Sequence, residues 1–285
     1  MIAFATSEEF PELEPDSRLL APALAERAIE WRPVVWSAPA VDWSGFDAIV
    51  VRSPWDYFLR AAEWAAWLDT VAAAATPMLN PVEVIRWNSH KSYLQQLAQA
   101  GVPVVDTVMT RGSAPVDLSD LMAGAGWDDA VVKPAIDGGA ARLFRVSDVP
   151  DPQARFDVLV AGGDVLVQPF LTSIVDQGEL SLVYFGGELS HTVRKQAKPG
   201  DIRVQPTWGG SYVLEGPTSE AIQVAARVFD AVDADLLYAR VDLVRADDGT
   251  LRLIELEAIE PLLFLELDER APERFADALA ARLIA

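Results

Sequence analysis

The sequence predicts an α/β protein, and two features of the chain indicate this class. Through the first third, the apolar segments MIAFAT, RPVVW and FDAIVVRS alternate with stretches of helical periodicity. This alternation is typical of parallel β-α units in a small doubly wound domain. Near the C-terminus, ARVDLVRADDGTLRLIELEA carries an Asp-Gly pair between two alternating apolar runs, which indicates an antiparallel hairpin.

The first β-α units also predict a ligand site. SRLLAPALAERAIE and LRAAEWAAWLDTVAAAA have helical composition and follow the first and third strands. Open parallel sheets bind ligands in the loops at the carboxyl ends of their strands. We therefore expect substrate contacts from Ser7, Ser53, Trp55 and Asp56, although Trp55 and the nearby Tyr57 could equally be packing residues.

The middle of the chain predicts a mixed unit of helices and strands. Asn88 or Ser89 can cap a helix that runs to Ala100, and Gly101 is placed to end it. VPVVDTV is the next predicted strand, followed by a short helix, a strand ending at Lys133, a glycine-containing loop and another strand. DVLVQPFL is a further strand.

The last third begins with a second kind of hairpin signal. LSLVYFGGELSHTVRK predicts an antiparallel hairpin that turns at Gly186-Gly187. KPGDIRVQPTWGGSYV follows as a long connection, and such loops in compact domains are usually functional or disordered. TSEAIQVAARVFDAV and ERFADALAARLI predict two helices, one before the Asp-Gly hairpin and one after it.

Composition narrows the range of functions. The chain has 285 residues, 51% of them hydrophobic, and a formal net charge of −20. That charge argues against an extended surface for nucleic acid or an anionic membrane, since either needs clustered Lys and Arg. With no Cys, the chain offers no disulfide, thiol nucleophile or zinc-thiolate site. No basic leader or long apolar run stands out, so we expect a cytoplasmic protein.

The Asp-Gly pair sets a register for the C-terminal hairpin. A two-residue turn at Asp248-Gly249 predicts that Leu243 faces Ile254 and that Asp242 faces Glu255. Side chains alternate between the two faces of a strand. Asp242 and Glu255 therefore share one face, and apolar residues cover the other.

The same register places Arg240 opposite Glu257 on the acidic face. Facing carboxylates destabilise an antiparallel pair unless a cation compensates them. Three carboxylates at this spacing suit a hard divalent ion such as Mg²⁺, whose coordination shell phosphate oxygens can complete. The hairpin alone equally allows a salt-bridge cluster with Arg240 or a solvated face.

The last two thirds of the chain contain an ordered set of charged residues and glycines, which comprises Lys91, Lys133, Gly138, Gly139, QPFL at 168–171, Arg194, Arg203, Asp242, Glu255 and Glu257. This pattern resembles the ATP-grasp superfamily, in its glutathione-synthetase-like and ribosomal-modification-ligase-like branch. It covers roughly residues 80–266. RVDLV followed by LIELEAIEP is its most specific part, because the hairpin register gives the same ligand spacing independently.

The resemblance implies an ATP-grasp fold, in which a small doubly wound parallel-sheet domain precedes two α+β lobes that sandwich ATP. We expect the N-terminal domain, on the substrate side, over residues 1–82. The central segment 83–168 would contain the small lobe at about 103–168. The C-terminal lobe, with the metal site, would span 169–285.

The resemblance also implies the residues that contact phosphate. Lys91 and Lys133 would bind phosphates, with Lys133 also beside the adenine. The loop at Gly138 and Gly139 would bring backbone amides close to the phosphates, because glycine permits close approach. Taken singly, Lys91 could be a solvated helix residue and the glycine loop a plain hairpin turn.

The adenine slot would be formed by Gln168, Phe170 and Leu171, with the backbone of the last two residues pairing with the base. Without the other motifs, QPFL would be an ordinary strand end. Asp176 or Glu179 would meet the ribose or the metal side, and the sequence does not choose between them.

On the substrate side, Arg194 and Arg203 are the expected catalytic residues. They stand where the family holds the substrate carboxylate and the transferring γ-phosphoryl group, and a guanidinium can bind either. Trp208, Gly209 and Gly210 resemble the family's substrate-side glycine turn, with Trp208 as a specificity wall.

The implied metal ligands are Asp242, Glu255 and Glu257. The family usually has Asn at the third position, whereas Glu257 keeps an oxygen ligand and adds a charge. ATP with two Mg²⁺ ions is the expected cofactor set, and Mn²⁺ could substitute.

The implied reaction is ATP-dependent formation of a carboxylate–nitrogen bond, through an acyl phosphate on a small amino-acid-like substrate. RSPWDY, RWNSHK, VVKPAIDGGA, QPFL and LIELEAIEP together are most similar to the cyclo-ligases that close O-ureido-D-serine to D-cycloserine in antibiotic biosynthesis. An intermolecular amino-acid or peptide ligase, a small-molecule kinase and a non-catalytic nucleotide-binding module stay open. Related enzymes often form dimers, so a homodimer is an option.

Overall fold

The computed structural model describes residues 1–111 and 116–283. Its first helices are α1 (Pro15–Arg18), α2 (Ala21–Glu26) and α3 (Ala61–Ala74). Its first strands are β1 (Ile2–Thr6), β2 (Trp31–Val35), β3 (Ala48–Ser53) and β4 (Met78–Leu79). These strands form a parallel sheet in the order β2-β1-β3-β4. The predicted parallel sheet and the helix after its third strand are confirmed.

The single helix predicted between the first two strands is wrong. Two short helices, α1 and α2, lie there instead, and each has a proline in its first turn, Pro15 and Pro22. Proline has no N–H to donate and is tolerated only at the start of a helix. The chain therefore starts a new helix at each of these prolines.

The middle of the chain forms an antiparallel sheet. Its elements are α4 (Val82–Asn88), α5 (Tyr93–Gln99), β5 (Val108–Thr110), α6 (Leu118–Ala125), β6 (Ala130–Pro134), β7 (Phe144–Arg145), α7 (Pro152–Gly162) and β8 (Val165–Pro169). The strand order is β5-β8-β6-β7. The predicted strand VPVVDTV is confirmed only at its end, since Val104 makes just an isolated bridge to Leu253. Gly101, with φ +88°, ends α5 as predicted.

The cap predicted at Asn88 or Ser89 is wrong. Asn88 is the last residue of α4, and α5 is a separate helix. The buried Asn88 side chain donates through Nδ2 to the Leu256 carbonyl (2.8 Å) and accepts at Oδ1 from the Ala258 N–H (2.9 Å). Its amide is therefore committed to the C-terminal hairpin instead of a helix terminus.

The C-terminal part contains the longest sheet. Its elements are α8 (Ser173–Asp176), β9 (Glu179–Phe185), β10 (Glu188–Gln196), β11 (Ser211–Leu214), α9 (Ser219–Val232), β12 (Tyr238–Arg245), β13 (Leu251–Glu257) and α10 (Ala271–Leu283). The strands are antiparallel in the order β11-β10-β9-β12-β13. The turn at Gly186-Gly187 and both predicted helices are confirmed. Ile284, the last residue of the second predicted helix, lies outside the described residues.

The predicted register of the β12–β13 hairpin is confirmed at the acidic residues and wrong nearer the turn. Asp242 faces Glu255 as expected, but Leu243 faces Leu253 and not Ile254. Ile254 is the extra residue of a β-bulge. The turn is also one residue longer than predicted. The two errors cancel beyond the bulge, so the acidic face keeps its register.

One apolar core joins the two ends of the chain, and the middle sheet has its own. Phe4 packs in one cluster with Phe185 and Phe275, whereas Phe144 and Phe156 pack in a separate cluster with other residues of the middle sheet. The N- and C-terminal sheets are therefore held by shared apolar contacts. Within residues 1–111 and 116–283, no helix combines the length and the apolar character that a membrane crossing requires.

Candidate active site

Three acidic side chains of the β12–β13 hairpin converge. Asp242 lies opposite Glu255, and Glu257 lies opposite Arg240. One carboxylate oxygen from each of the three acids lies within 4.8 Å of the others. Oxygen donors at this separation fit a hard divalent cation such as Mg²⁺.

Two buried cations hold this acidic cluster together. The Arg240 Nε donates to Asp242 Oδ1 (2.9 Å), and the same guanidinium pairs with Glu257. The Lys195 Nζ donates to Asp242 Oδ2 (3.0 Å) and pairs with Glu179. Burial by itself raises the pKa of Asp242, but Arg240 and Lys195 outweigh burial and hold that pKa well below its usual value. The three carboxylates thus take part in a salt-bridge cluster and also provide oxygen atoms at a spacing that fits a divalent cation.

Lys195 is a site residue that the sequence analysis missed. It is 4% exposed and lies on the same face of β10 as the buried Val193. Arg194, the expected catalytic residue, lies on the other face, where it donates to both carboxylate oxygens of Glu215 (2.7 and 2.8 Å). Counting alternate residues from Val193 places Lys195, and not Arg194, on the buried face of β10, although it does not reveal the partner of Lys195.

Two further lysines contribute positive charge. The Lys91 Nζ donates to Glu255 Oε1 (3.0 Å) and to the Asp137 carbonyl (3.1 Å), so Lys91 is not the solvated helix residue that the sequence left open. Burial lowers the pKa of Lys91, but Glu255 outweighs it and the net shift is upward. Lys133, on β6, is 7% exposed and makes no ion pair with a described residue, and burial lowers its pKa. A buried cation without a partner is costly and indicates an anionic ligand.

The loop at Gly138 and Gly139 lies between two aromatic side chains. A Cβ added at Gly138 would lie 2.5 Å from a ring carbon of Phe58. On the other side, the Trp208 Nε1 donates to the Gly139 carbonyl (2.9 Å). The absence of a side chain at Gly138 therefore allows Phe58, from the N-terminal part of the chain, to approach the loop closely.

The expected adenine slot lines a cavity with Gln168, Phe170 and Leu171. The Gln168 Nε2 donates to Thr107 Oγ1 (2.9 Å). The Phe170 N–H donates to the Asp129 carbonyl (3.1 Å). That N–H is engaged within the protein, so the expected backbone pairing with the base does not extend to it.

The structure separates the two acids considered for the ribose. Glu179 is buried and lines the cavity, whereas Asp176 is exposed at the end of α8 and does not. Burial raises the pKa of Glu179 to about 7, although Lys195 acts in the opposite direction.

Arg203 is the expected catalytic arginine that reaches the cavity. Its guanidinium lies 3.7 Å from the centre of the Trp208 ring and pairs with Asp201 (2.8 Å). Trp208, Gly209 and Gly210 do not line the cavity themselves. Through its ring, Trp208 instead links Arg203 to the glycine loop.

The expected substrate residues of the N-terminal part are divided. Trp55 lines the cavity, and its Nε1 donates to the Glu260 carbonyl (3.3 Å). Ser7 and Ser53 are fully buried away from the cavity, and Asp56 bonds to the side chains of Trp36 and Arg60. Tyr57 and Glu260, which carried no expected binding role, also line the cavity.

These residues surround one cavity of about 390 Å³, a volume that suits a small-molecule site. The expected site residues in its wall are Trp55, Lys91, Lys133, Gly138, Gly139, Gln168, Phe170, Leu171, Glu179, Arg203, Glu255 and Glu257. Those outside the wall are Ser7, Ser53, Asp56, Asp176, Arg194, Trp208, Gly209, Gly210 and the fully buried Asp242. The cavity thus combines an oxygen-donor cluster with lysines and an arginine, which suits a phosphorylated ligand with a divalent cation.

Comparison with known proteins gives consistent results. Residues 2–80 match the family model of the D-cycloserine synthetase DcsG N-terminal domain. The chain is 35% identical to the cycloserine biosynthesis protein DcsG of Streptomyces lavendulae over 87% of each chain. It superposes on the crystal structure of D-cycloserine synthetase DcsG with a TM-score of 0.89 and 31% identity over 99% of each chain. The ATP-grasp ligase PsnB, solved with Mg and ADP, shares the fold at a TM-score of 0.65 and 18% identity, covering 99% of this chain and 98% of that one. The predicted ATP-grasp fold is confirmed.

Proposed function

The chain belongs to the ATP-grasp ligases of the DcsG type, and from this premise we propose that it joins a carboxylate to a nitrogen through an acyl phosphate. The proposed substrate is O-ureido-D-serine, which a nitrogen of the same molecule would close to D-cycloserine. One observation carries the proposal: Lys133, which has no ion-pair partner among the described residues, lines the same cavity as the carboxylates Glu255 and Glu257. Phosphoryl transfer needs positive charge around the phosphates and oxygen ligands for the metal.

Lys133, Lys91 and Arg203 would hold the phosphates of ATP. Lys133 needs an anionic partner because it is buried and makes no ion pair within the part of the chain that the structure describes. When the Glu255 carboxylate binds a cation, Lys91 would lose its contact with that carboxylate and bind a phosphate oxygen instead. Arg203 would stabilise the charge that develops as the γ-phosphoryl group moves to the substrate carboxylate. The ureido nitrogen that is bonded to oxygen would then attack the activated carbonyl carbon, forming the ring C–N bond as phosphate leaves and the nitrogen loses its proton to solvent. Water would then cleave the carbamoyl group from this nitrogen as carbamate, which breaks down to CO2 and ammonia, and D-cycloserine remains.

Asp242, Glu255 and Glu257 would hold Mg²⁺, which neutralises charge on the transferring phosphoryl oxygens when it is bound. Glu257 stands where the family usually has a neutral Asn. The guanidinium of Arg240 pairs with Glu257 and offsets the charge that the glutamate adds. This pairing explains how an additional carboxylate is tolerated on the acidic face.

The test is ADP release from ATP and Mg²⁺ with O-ureido-D-serine and a panel of other amino acids, with and without hydroxylamine. Ligase chemistry predicts amino-acid-dependent ADP release and a hydroxamate in the presence of hydroxylamine. A stable phosphorylated product without hydroxamate would instead identify a kinase. No ADP with any member of the panel would contradict the proposal.

The variant Glu255→Gln tests the metal assignment within the same assay. It keeps the shape of the side chain and removes one charged oxygen donor, so we expect turnover to fall at least about 100-fold at limiting Mg²⁺ and to recover partly at high Mg²⁺. Glu188→Gln, an exposed change at the start of β10, is the matched control and should behave as the wild type. Equal Mg²⁺ titrations for the two variants would rule out Glu255 as a ligand.

A further inference from the structure

Glu260 stands apart from the acids assigned to the metal. It lines the cavity beside Trp55 and Tyr57, which come from the N-terminal part of the chain. The Trp55 Nε1 donates to the Glu260 carbonyl (3.3 Å) and so fixes the backbone at this point. Glu260 therefore lies where residues of the N-terminal part of the chain contribute to the cavity wall.

The carboxylate of Glu260 makes no ion pair with a described residue. Among the described residues, no Lys, Arg or His lies within ion-pair distance of it, whereas Asp242, Glu255 and Glu257 each pair with a cation. The Tyr57 hydroxyl interacts with this carboxyl, and the charges of Lys91 and Arg52 act on it from beyond ion-pair distance, but burial outweighs all three. Burial raises the pKa of Glu260 to about 7. A ligand that places a cationic group beside Glu260 would stabilise the ionised form of this carboxylate.

The structure of an α-amino acid places such a cation close to the reacting carboxylate. Its ammonium nitrogen is bonded to the same carbon that bears the carboxylate. If the carboxylate reacts beside Glu255 and Glu257, as the proposed function requires, the ammonium group must lie within a few ångströms of them. Glu260 follows Glu257 by three residues and lines the same cavity, so it is placed for this contact.

We infer that the Glu260 carboxylate, supported by the Tyr57 hydroxyl, binds the α-ammonium group of the amino-acid substrate. This contact selects α-amino acids over acids that carry a neutral group at the same carbon. Glu260 is a specificity-determining residue in this arrangement, and it takes no part in holding the metal. The inference rests on the proposed function.

The experiment compares O-ureido-D-serine with the analogue that carries a hydroxyl in place of the α-amino group. The wild type should prefer the amine in kcat/KM, since the neutral hydroxyl leaves Glu260 without a cation. In Glu260→Gln we expect the KM for O-ureido-D-serine to rise about 30-fold, the KM for ATP to stay within about twofold, and the preference for the amine to fall by about the same 30-fold. Glu188→Gln should retain the wild-type preference.

Tyr57→Phe provides a second variant should Glu260→Gln fail to fold. It keeps the ring and removes only the hydroxyl, so we expect a smaller loss of the amine preference, about threefold to tenfold. An unchanged preference in Glu260→Gln, or in Tyr57→Phe if the first variant does not fold, would overturn the inference alone. No ADP release by the wild type with O-ureido-D-serine or any other amino acid would overturn the proposed function, and the inference with it.

Discussion

Lys195 and Arg194 are adjacent residues of β10 in opposite environments. Lys195 is 4% exposed and lies between the buried carboxylates of Glu179 and Asp242. Arg194 pairs with Glu215 at the surface. Removing one partner of a buried ion pair leaves an uncompensated charge, whereas surface pairs contribute little to stability.

We therefore predict that Lys195→Met and Arg194→Met differ strongly in stability. Lys195→Met should lower the free energy of unfolding by about 3–5 kcal/mol, because two buried carboxylates lose their shared cation. Arg194→Met should lower it by about 0–1 kcal/mol. Urea unfolding of both variants in metal-free buffer measures the difference. Equal losses would show that the Lys195 ion pairs do not stabilise the folded protein.

The acidic residues of the hairpin could be predicted from the sequence, whereas Lys195 and Glu260 could not. Asp242, Glu255 and Glu257 were predictable because alternation and a local turn determine which hairpin side chains share a face. Lys195 faces Asp242 from a strand that is distant in sequence, so no local pattern connects them. Glu260 lies beyond the end of β13, where alternation no longer applies.

The glycine loop between β6 and β7 packs against the N-terminal part of the chain. Gly138 has no room for a Cβ next to Phe58, whereas Gly139 faces open space but has φ +64°. The two glycines are thus needed for different physical reasons, which are steric contact at Gly138 and backbone conformation at Gly139.

We predict that Gly138→Ala raises the KM for ATP about tenfold or more, because relieving a steric overlap costs about 1–3 kcal/mol and displaces the loop. Combining it with Phe58→Leu should restore most of the affinity, since the ring carbon that the Cβ meets is then absent. Gly139→Ala should introduce about 1–2 kcal/mol of backbone strain into the loop, and Phe58→Leu should not relieve that strain. Steady-state kinetics of the two alanine variants, each with and without Phe58→Leu, test this steric explanation. Equal rescue of both alanine variants would contradict the steric explanation.

Elements of the chain were predictable where a local signal determined them. The Gly186-Gly187 turn and the α9 helix follow from patterns within a few residues. The cap assigned to Asn88 failed because its amide bonds to Leu256 and Ala258, about 170 residues away. The same polar residue types act as helix caps and as buried residues that hydrogen-bond to distant parts of the chain, and only the fold distinguishes the two roles.

At the scale of the whole molecule, buried polar side chains join the N-terminal sheet to the segment after β13. Asp16 accepts hydrogen bonds from the N–H groups of Leu263 (3.0 Å) and Leu265 (2.7 Å). Arg52, which is fully buried, donates to the Pro261 carbonyl (2.7 Å). These contacts position the segment that follows the proposed specificity residue. They connect residues more than 200 positions apart, which explains why the sequence offered no sign of them.

The last prediction concerns the pH dependence of this junction. Burial, with a further contribution from Glu14, raises the pKa of Asp16 to about 6, although Arg52 opposes the shift. In the unfolded chain the pKa of Asp is about 3.9, so between about pH 4 and pH 6 the folded state binds a proton that the unfolded state does not. The contribution of Asp16 to stability is therefore fully present below about pH 4 and is lost as the pH rises to about 6.

Asp16→Asn removes this titration, so its free energy of unfolding lacks the pH-dependent contribution of Asp16, and the amide, with an N–H donor in place of one oxygen, accepts only one of the two backbone N–H bonds. Relative to this variant, the wild type should lose up to about 3 kcal/mol of unfolding free energy between pH 4 and pH 7. Urea unfolding of both proteins across that range measures the difference. Asp69→Asn, at an exposed carboxylate, should run parallel to the wild type. If Asp16→Asn also runs parallel, the Asp16 carboxyl titrates normally, and the junction between the two ends of the chain does not depend on its protonation.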